Sequence, residues 1–415
     1  MLKNYLKIAW KVLLRRKFFT FISLFGISFT LMILMVATAM VNHLFGPENP
    51  ELKTDRMLYV NRLKMTGNGY TMNSNPGYYI LDKYVRPLKT PQDMTFYTSD
   101  YSYNAYVNNR KLPLDVRFTD SNFWNVLDFE FVEGQPFSKG DVDGISRVAV
   151  INEATRQNYF GNSTNALGKF IEVDRTKYKV VGVVKNVAAN RLYTYADVWL
   201  PYTNIKEDYR KPQFGGSFEA IILANSPSDI DNIKEEFNQA FKNVIIPGPD
   251  AANYKSVYLH ADTLVETYIR GVTSAEGEIS ITMFFTWVTL GVLFFMLLPT
   301  INLVNINISR IIERASEIGV RKAFGASSAT LVGQFLVENM ILTLIGGALG
   351  LLLAQGVLAY INSSGIIPYS NLAINPTIFA YSFLICIVFG FLSGVYPAFK
   401  MSKLHVVAAL KGGNV

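Results

Sequence analysis

The side chains of this chain that could carry chemistry are three histidines, one cysteine, a Gly-Lys step and a run of dense charge, ERASEIGVRKAFGA, at 313–326. A zinc hydrolase of the H-E-x-x-H type needs two histidines one helical turn apart, whereas His43, His260 and His405 are widely dispersed, so no metal set is expected. Cys386 falls inside an apolar run, where burial keeps a thiol protonated and a poor nucleophile. The stretch GNSTNALGKF at 161–170 imitates a phosphate loop, but its glycines are seven apart instead of five and Phe170 stands where Ser or Thr would hold Mg²⁺. Leu392-Ser393-Gly394 begins like the signature of an ATP-binding cassette, yet it too lies in an apolar run. These residues argue against catalysis on this chain: no enzyme, no metal and no cofactor of its own are expected.

The charged run reads as a docking element instead. Wound as a helix, it sets Ile311, Ala315, Ile318 and Lys322 on one face and Arg310, Glu313, Arg314, Glu317 and Arg321 largely elsewhere. Glu317 and Arg321 stand in the favourable i to i+4 order. Gly325 is placed to stop the helix before Ser327 and Ser328 begin the next. A short rod with a small apolar ridge and a charged rim results, and a merely solvated connector would not need the ridge.

The elements that hold this rod are apolar. Phe18–Val41, Ile279–Val304, Phe335–Ile361 and Thr377–Tyr396 are each long enough to cross a hydrocarbon core, and Glu338 is the only acid or base within them. A charge at mid-bilayer costs ~3 kcal/mol, so runs this clean are poor candidates for soluble core helices. Lys3, Lys7, Lys11, Arg15, Arg16 and Lys17 precede the first run, Arg310, Arg314, Arg321 and Lys322 follow the second, and Lys400, Lys403 and Lys411 follow the fourth. The loop 362–376 has no cation, so both termini are expected in the cytoplasm and the large insert outside. The formal net charge of +7 then splits: 13 Lys and Arg against 3 acids in the membrane and cytosolic parts, 26 against 29 in the insert. That is a membrane-surface signature and gives no support to nucleic-acid binding.

The expected fold is an α+β membrane protein with four transmembrane helices and a large α+β extracytoplasmic domain inserted between helices 1 and 2. Its segments are an amphipathic cytoplasmic helix (1–17), span one (18–41), the ectodomain (42–278), span two (279–304), a coupling region (305–334), span three (335–361), a short outer loop (362–376), span four (377–396) and a cytoplasmic tail (397–415). The first run followed by Ala37-Thr38-Ala39 also imitates a signal peptide, but it exceeds the usual length of such a core, and an uncleaved anchor is expected. Within the insert, 148–151, 170–173, 178–184, 198–200 and 218–223 predict strands, and 153–160 and 228–244 predict helices. The stretch 52–107, rich in Tyr, Asn and Thr, resists division, and two lobes are expected overall. Gly346, Gly350 and Ala354, with Gly390 and Gly394, form small-residue ridges that let helices approach closely, within one chain or at a dimer seam.

The segment from Arg310 through GQFLVENMILTLIGGALGLLLA and the ending GVYPAFKMSKLHVVAALKGG closely resemble the FtsX-like permease family of ATP-binding-cassette (ABC) transporters. FTDSNFWNVLDFEFVEGQPF, RVAVINEATRQNYFG, ALGKFIEVDRTKYKVVGVVKNV and ADVWLPY resemble the ectodomain of its MacB-type branch. The resemblance covers nearly the whole chain and is weakest over 52–107. It implies a non-catalytic permease subunit in a bacterial inner membrane, working as a homodimer or with a related permease. A separate cytosolic ATPase would bind ATP and Mg²⁺ and be gripped by Glu313, Arg314, Glu317, Ile318, Gly319, Arg321, Lys322, Gly325 and Ala326. ATP-driven motion would then serve efflux or extraction of an amphiphile, peptide or lipoprotein, with a periplasmic adaptor and an outer-membrane duct as further partners. Two alternatives stay open: a mechanical regulator of a periplasmic partner such as a cell-wall hydrolase, and a sensor of antimicrobial peptides.

Overall fold

The computed structural model describes residues 15–402 except 16, 108, 109, 162–164, 249 and 314. Most of the basic segment 1–17, and Lys403, His405 and Lys411 of the tail, therefore lie outside the described residues. The chain forms two compact units: a helical unit comprising 1–42, 282–366 and 371–415, and an α+β unit comprising 43–281 with 367–370.

The chain enters the α+β unit at the end of α1 (Lys17–Phe45) and makes β1 (Met57–Val60), β2 (Leu63–Gly67) and β3 (Tyr70–Pro76). After a helical turn at 78–85 come β4 (Asp93–Thr98), β5 (Tyr101–Val107), β6 (Arg110–Thr119) and β7 (Phe131–Gly134). Then follow β8 (Val148–Asn152), α2 (Glu153–Phe160), β9 (Phe170–Val173), β10 (Thr176–Val184) and β11 (Val198–Pro201). The unit ends with β12 (Gly215–Gly216), β13 (Phe218–Leu223), α3 (Ile230–Phe241), β14 (Ser256–Leu259) and α4 (Leu264–Thr273). Among the described residues a ten-stranded sheet has the order β1-β13-β4-β6-β11-β8-β10-β7, with β5 beside β6 and β9 beside β10. A four-stranded sheet has the order β12-β3-β2-β14.

The strands at the middle of the larger sheet are largely apolar on both faces because both faces are covered. In β13 all six residues are buried: Phe218, Ala220 and Ile222 face one core, and Ile221 and Leu223 face another. Its neighbour β1 divides in the same way, Leu58 and Val60 against Met57 and Tyr59, as a period of two requires. The first core also takes Leu63 and Met65 of β2, Leu259 of β14, and Ile233 and Phe237 of α3. The smaller sheet thus packs through β2 and β14 into the core on one face of β1 and β13. Helix α2 begins where the Asn152 side chain accepts from the Thr155 N–H at 2.7 Å, and it ends at Gly161 with φ +91°. The expected helix over 228–244 is shorter at both ends, because Pro227–Asp229 forms a 3₁₀ turn ahead of α3.

The helical unit contains α1, α5 (Ile281–Glu313), α6 (Ala315–Ala323), α7 (Ser328–Ser364) and α8 (Pro376–Ser402). Among the described residues two helices are long and apolar enough to cross a membrane, Lys17–Phe45 and Ala329–Ser364. Shorter apolar helical stretches occur at Ile281–Phe295 in α5 and Phe379–Leu392 in α8. Ile27, Leu31 and Met35 of α1 pack against Leu342 and Ala354 of α7. A methyl added at Gly346 would lie 2.7 Å from Ile27 Cγ2, and one at Gly350 would lie 2.9 Å from Ser28 O. The glycine ridge of α7 is therefore occupied by α1 of the same chain. On α8, Gly390 meets Thr343 of α7.

Candidate functional site

The charged run at 313–326 folds into α6, a helix of nine residues set between α5 and α7. Its end has a specific cause: Gly325, at φ +91°, donates from N–H to Lys322 O at 3.0 Å, and Ala326 donates to Arg321 O at 3.0 Å. This pair of reversed bonds is a Schellman closure, and the positive φ is one that glycine adopts at no steric cost. The next helix starts two residues later, where Ser327 Oγ accepts from the Thr330 N–H at 3.2 Å. The C-terminal end of the rod and the start of the next helix are thereby set by residues visible in the sequence.

Of the nine expected docking residues, Arg314 and the side chains of Glu313, Glu317 and Ile318 lie outside the described residues. Gly319 is buried, Arg321, Lys322 and Ala326 are half-buried, and Gly325 is exposed. Arg321 turns inward, its Nη1 donating to Gln334 Oε1 on α7 at 2.9 Å. Gln334 Nε2 in turn donates to Glu338 Oε1 at 3.0 Å, and both of these α7 side chains are buried. Arg321 thus orients α6 against α7. Glu338, the only acid or base of the third apolar run, is thus part of that polar chain. Among the described side chains, Val320 on α6 is 45 % exposed and Phe324, just beyond its last residue, is 88 % exposed. Sequence reading missed Val320, Phe324 and Gln334; the i, i+4 spacing of Val320 with Phe324 was the available signal.

The phosphate-loop imitation is resolved by its neighbours. A phosphate loop runs from strand to helix, but the Gly-Lys step at 168–169 follows α2 and leads into β9.

In the α+β unit a cleft of about 510 Å³ lies beside α3 and α4 and is lined in part by Lys234, Lys242, His260, Asp262, Glu266 and Arg270. A second cleft of about 350 Å³ shares His260 and Arg270 with it and adds Arg62, Lys64 and Tyr258. Lys234 Nζ reaches both oxygens of Glu266, at 2.7 and 2.6 Å. Burial alone would raise the Glu266 pKa, but Lys234 and the Thr263 N–H and hydroxyl hold it below the ordinary value. Burial and then the nearby Arg270 charge lower that of His260. The linings mix charge of both signs, and the main acids are spent on partners within the fold.

Residues 20–240 match the model of the MacB-like periplasmic core domain, and residues 281–406 match that of the FtsX-like permease C-terminal region. Over 97 % of the chain and 58 % of the relative's length, the sequence is 25 % identical to the pyoverdine export ATP-binding/permease protein PvdT of Pseudomonas savastanoi pv. phaseolicola. It is 27 % identical to the macrolide export ATP-binding/permease protein MacB 2 of Yersinia pestis bv. Antiqua, over 76 % of the chain and 44 % of the relative. The chain spans about half the length of these curated relatives. Among solved structures, the periplasmic region of MacB from Actinobacillus actinomycetemcomitans aligns with 54 % of this chain and 95 % of its own, at 16 % identity and a TM-score of 0.37.

Proposed function

This chain belongs to the family that joins a MacB-like periplasmic core domain to an FtsX-like permease region, and on that premise we propose that it is the permease subunit of a bacterial ABC transporter. The observation that carries the proposal is α6, a short rod closed by Gly325, oriented through Arg321 and Gln334, and presenting Val320 and Phe324 outward. An exposed pair of large apolar side chains on a rigid helix, bordered by charge, suits insertion into a groove on another protein. That partner is a separate cytosolic ATPase, which binds ATP and Mg²⁺ and grips α6 together with Glu313, Arg314, Glu317 and Lys322. Two permease chains act together, and closure of the ATPase pair shifts the population of their membrane helices and so moves the ectodomains.

Helices α1, α5, α7 and α8 are the four spans of an inner-membrane protein with both termini in the cytoplasm. The cargo is an amphiphile, peptide or lipoprotein handled at the outer surface and passed to a periplasmic adaptor and an outer-membrane duct. Support comes from the similarity to PvdT and MacB, named as pyoverdine and macrolide export proteins.

The test is affinity purification of the full-length protein in mild detergent, with mass spectrometry of what remains bound and an ATPase assay of the eluate. A co-purifying ATPase is expected, with recovery falling about tenfold in Phe324→Asp, as for a buried anchor of an interface. Alanine at Glu317 and Lys322 is expected to lower hydrolysis. Recovery of the chain alone, without nucleotide hydrolysis, would overturn the reading in favour of a sensor; a bound cell-wall hydrolase would favour a regulator.

A further inference from the structure

We infer, on the transport reading above, that Arg191 and Arg270 are the two grips through which the ectodomain is moved: Arg191 holds the chain as it arrives from α1, and Arg270 holds it as it departs for α5. The rod α6 explains how force could be collected, but force reaches a β-sheet only if the connecting segments are tied to it. A connection held by one flexible loop would absorb the motion.

The inbound segment is tied at three points to a single turn. Arg191 is 2 % exposed; its Nη2 donates to Gly46 O, the first residue beyond α1, at 2.9 Å, and its Nη1 donates to Glu51 Oε2 at 2.8 Å. Thr194 donates to the other Glu51 oxygen at 2.8 Å. Glu48 lies between Arg191 Nη2 at 3.3 Å and His43 Nδ1 at 2.7 Å. The same turn is fastened to the large sheet by a second buried guanidinium, that of Arg117 on β6. Its Nη2 donates to Leu192 O at 2.8 Å, its Nε to Tyr195 O at 3.2 Å and its Nη1 to Thr98 O on β4 at 2.8 Å. The Ala189 N–H adds a bond of 3.0 Å to Pro368 O, in the segment between α7 and α8. Gly46 and the strands β4 and β6 are thus joined by two planar, charge-assisted donors with no free loop between them.

The outbound segment repeats the device. Arg270, 6 % exposed, donates from Nη1 to Ala275 O at 2.7 Å and to Gly277 O at 2.9 Å. Its Nε and Nη2 meet both oxygens of Asp262, at 2.5 and 2.9 Å. The Asp262 backbone exchanges two hydrogen bonds with Tyr59 of β1, at 2.6 and 3.0 Å. Between the two carbonyls, Glu276 is held by His260 Nε2 at 2.8 Å and by Lys64 Nζ of β2 at 2.5 Å. An aromatic row connects the grips: Phe45, the last residue of α1, meets Tyr268 of α4 at 5.1 Å between centroids, Tyr268 meets Tyr193 at 6.1 Å, and Tyr193 meets Tyr59 at 5.1 Å.

The test uses the full chain with its ATPase in lipid nanodiscs. Hydrogen exchange of the β-strands is compared with and without ATP plus vanadate, and ATP hydrolysis is measured in parallel. Arg191→Gln and Arg270→Gln are expected to keep hydrolysis while the nucleotide-dependent change in the strands shrinks about fivefold or more. Thr194→Val and Lys64→Met, which each remove one tie and leave the guanidinium in place, carry the test if the arginine variants fail to fold, and each is expected to shrink the change partially. Arg156→Gln removes a pair to Glu133 remote in sequence from both junctions and is expected to leave the change intact. A wild-type response in the junction variants, or an equal loss in Arg156→Gln, would overturn the inference. A wild-type complex that hydrolyses ATP with no change in the strands would overturn the transport reading and this inference with it.

Discussion

Asp120, just beyond β6, accepts from Thr95 Oγ1 at 2.6 Å, from the Phe123 N–H at 3.0 Å and from the Phe96 N–H at 2.8 Å. Burial outweighs these donors and lifts its pKa from 3.8 to about 6. The unfolded chain releases this proton near 3.8 and the folded chain near 6, so in that window the folded state binds more protons and stability falls as pH rises. Glu48 and Glu266 act in the opposite sense. Burial raises each, but His43 and Arg191 in one case, and Lys234 and Thr263 in the other, bring the net value below 4.5. Their contribution is present above 4.5 and is lost as pH falls through the depressed values. The Asp120 effect is therefore read as a difference. Urea midpoints of the full-length protein in detergent, measured from pH 4 to 6.5, are expected to fall relative to Asp120→Asn as pH rises; parallel profiles for the two proteins would disprove the assignment.

At the scale of elements, the glycines of α7 divide sharply by what faces them. Gly346 and Gly350 are in contact with Ile27 and with the Ser28 and Leu31 backbone and side chain of α1, whereas nothing lies within 4 Å of a methyl added at Gly356. Gly346→Leu is expected to lower the thermal midpoint of the purified protein, at a cost of ~1–3 kcal/mol from overpacking, while Gly356→Ala leaves it unchanged or slightly higher. Equal midpoints for the two variants would show that α1 does not occupy that ridge. The ridge was legible because small residues at intervals of four are a local pattern, and α2 was legible because Asn152 and Gly161 bracket it. The region 52–107 was not, because β1 and β4 are placed by a distant partner, β13: Leu58 and Met94 lie opposite Ile222, and Phe96 lies opposite Ala220. The rod α6 shows the same division. Gly325 marked its C-terminal end and Ser327 the start of α7 in advance, but the inward turn of Arg321 depends on Gln334, thirteen residues later.

For the whole molecule, the expected orientation rests on the distribution of cations. The basic residues cluster before the first apolar run, after the second and after the fourth, and the insert carries more acids than bases. If four helices span the membrane, α6 and the insert must lie on opposite sides. Cys386 is the only cysteine, so a Cys386→Ala background allows single labels to be placed at will. Phe324 just beyond α6 and Val272 on α4, 88 % and 87 % exposed, are the sites to use, since cysteines there would be open to reagent without disturbing a core. In intact cells stripped of their outer membrane, a membrane-impermeant maleimide is expected to modify Val272→Cys and to spare Phe324→Cys until the cells are broken. Modification of both from outside would place the rod where no cytosolic ATPase could reach it. Protection of both would put the MacB-like region on the inner side, and either result would remove the basis for transmission across the bilayer. The expected pattern would leave a single route for force, from an ATPase on α6, along α5 and α1, to the segments that Arg270 and Arg191 hold.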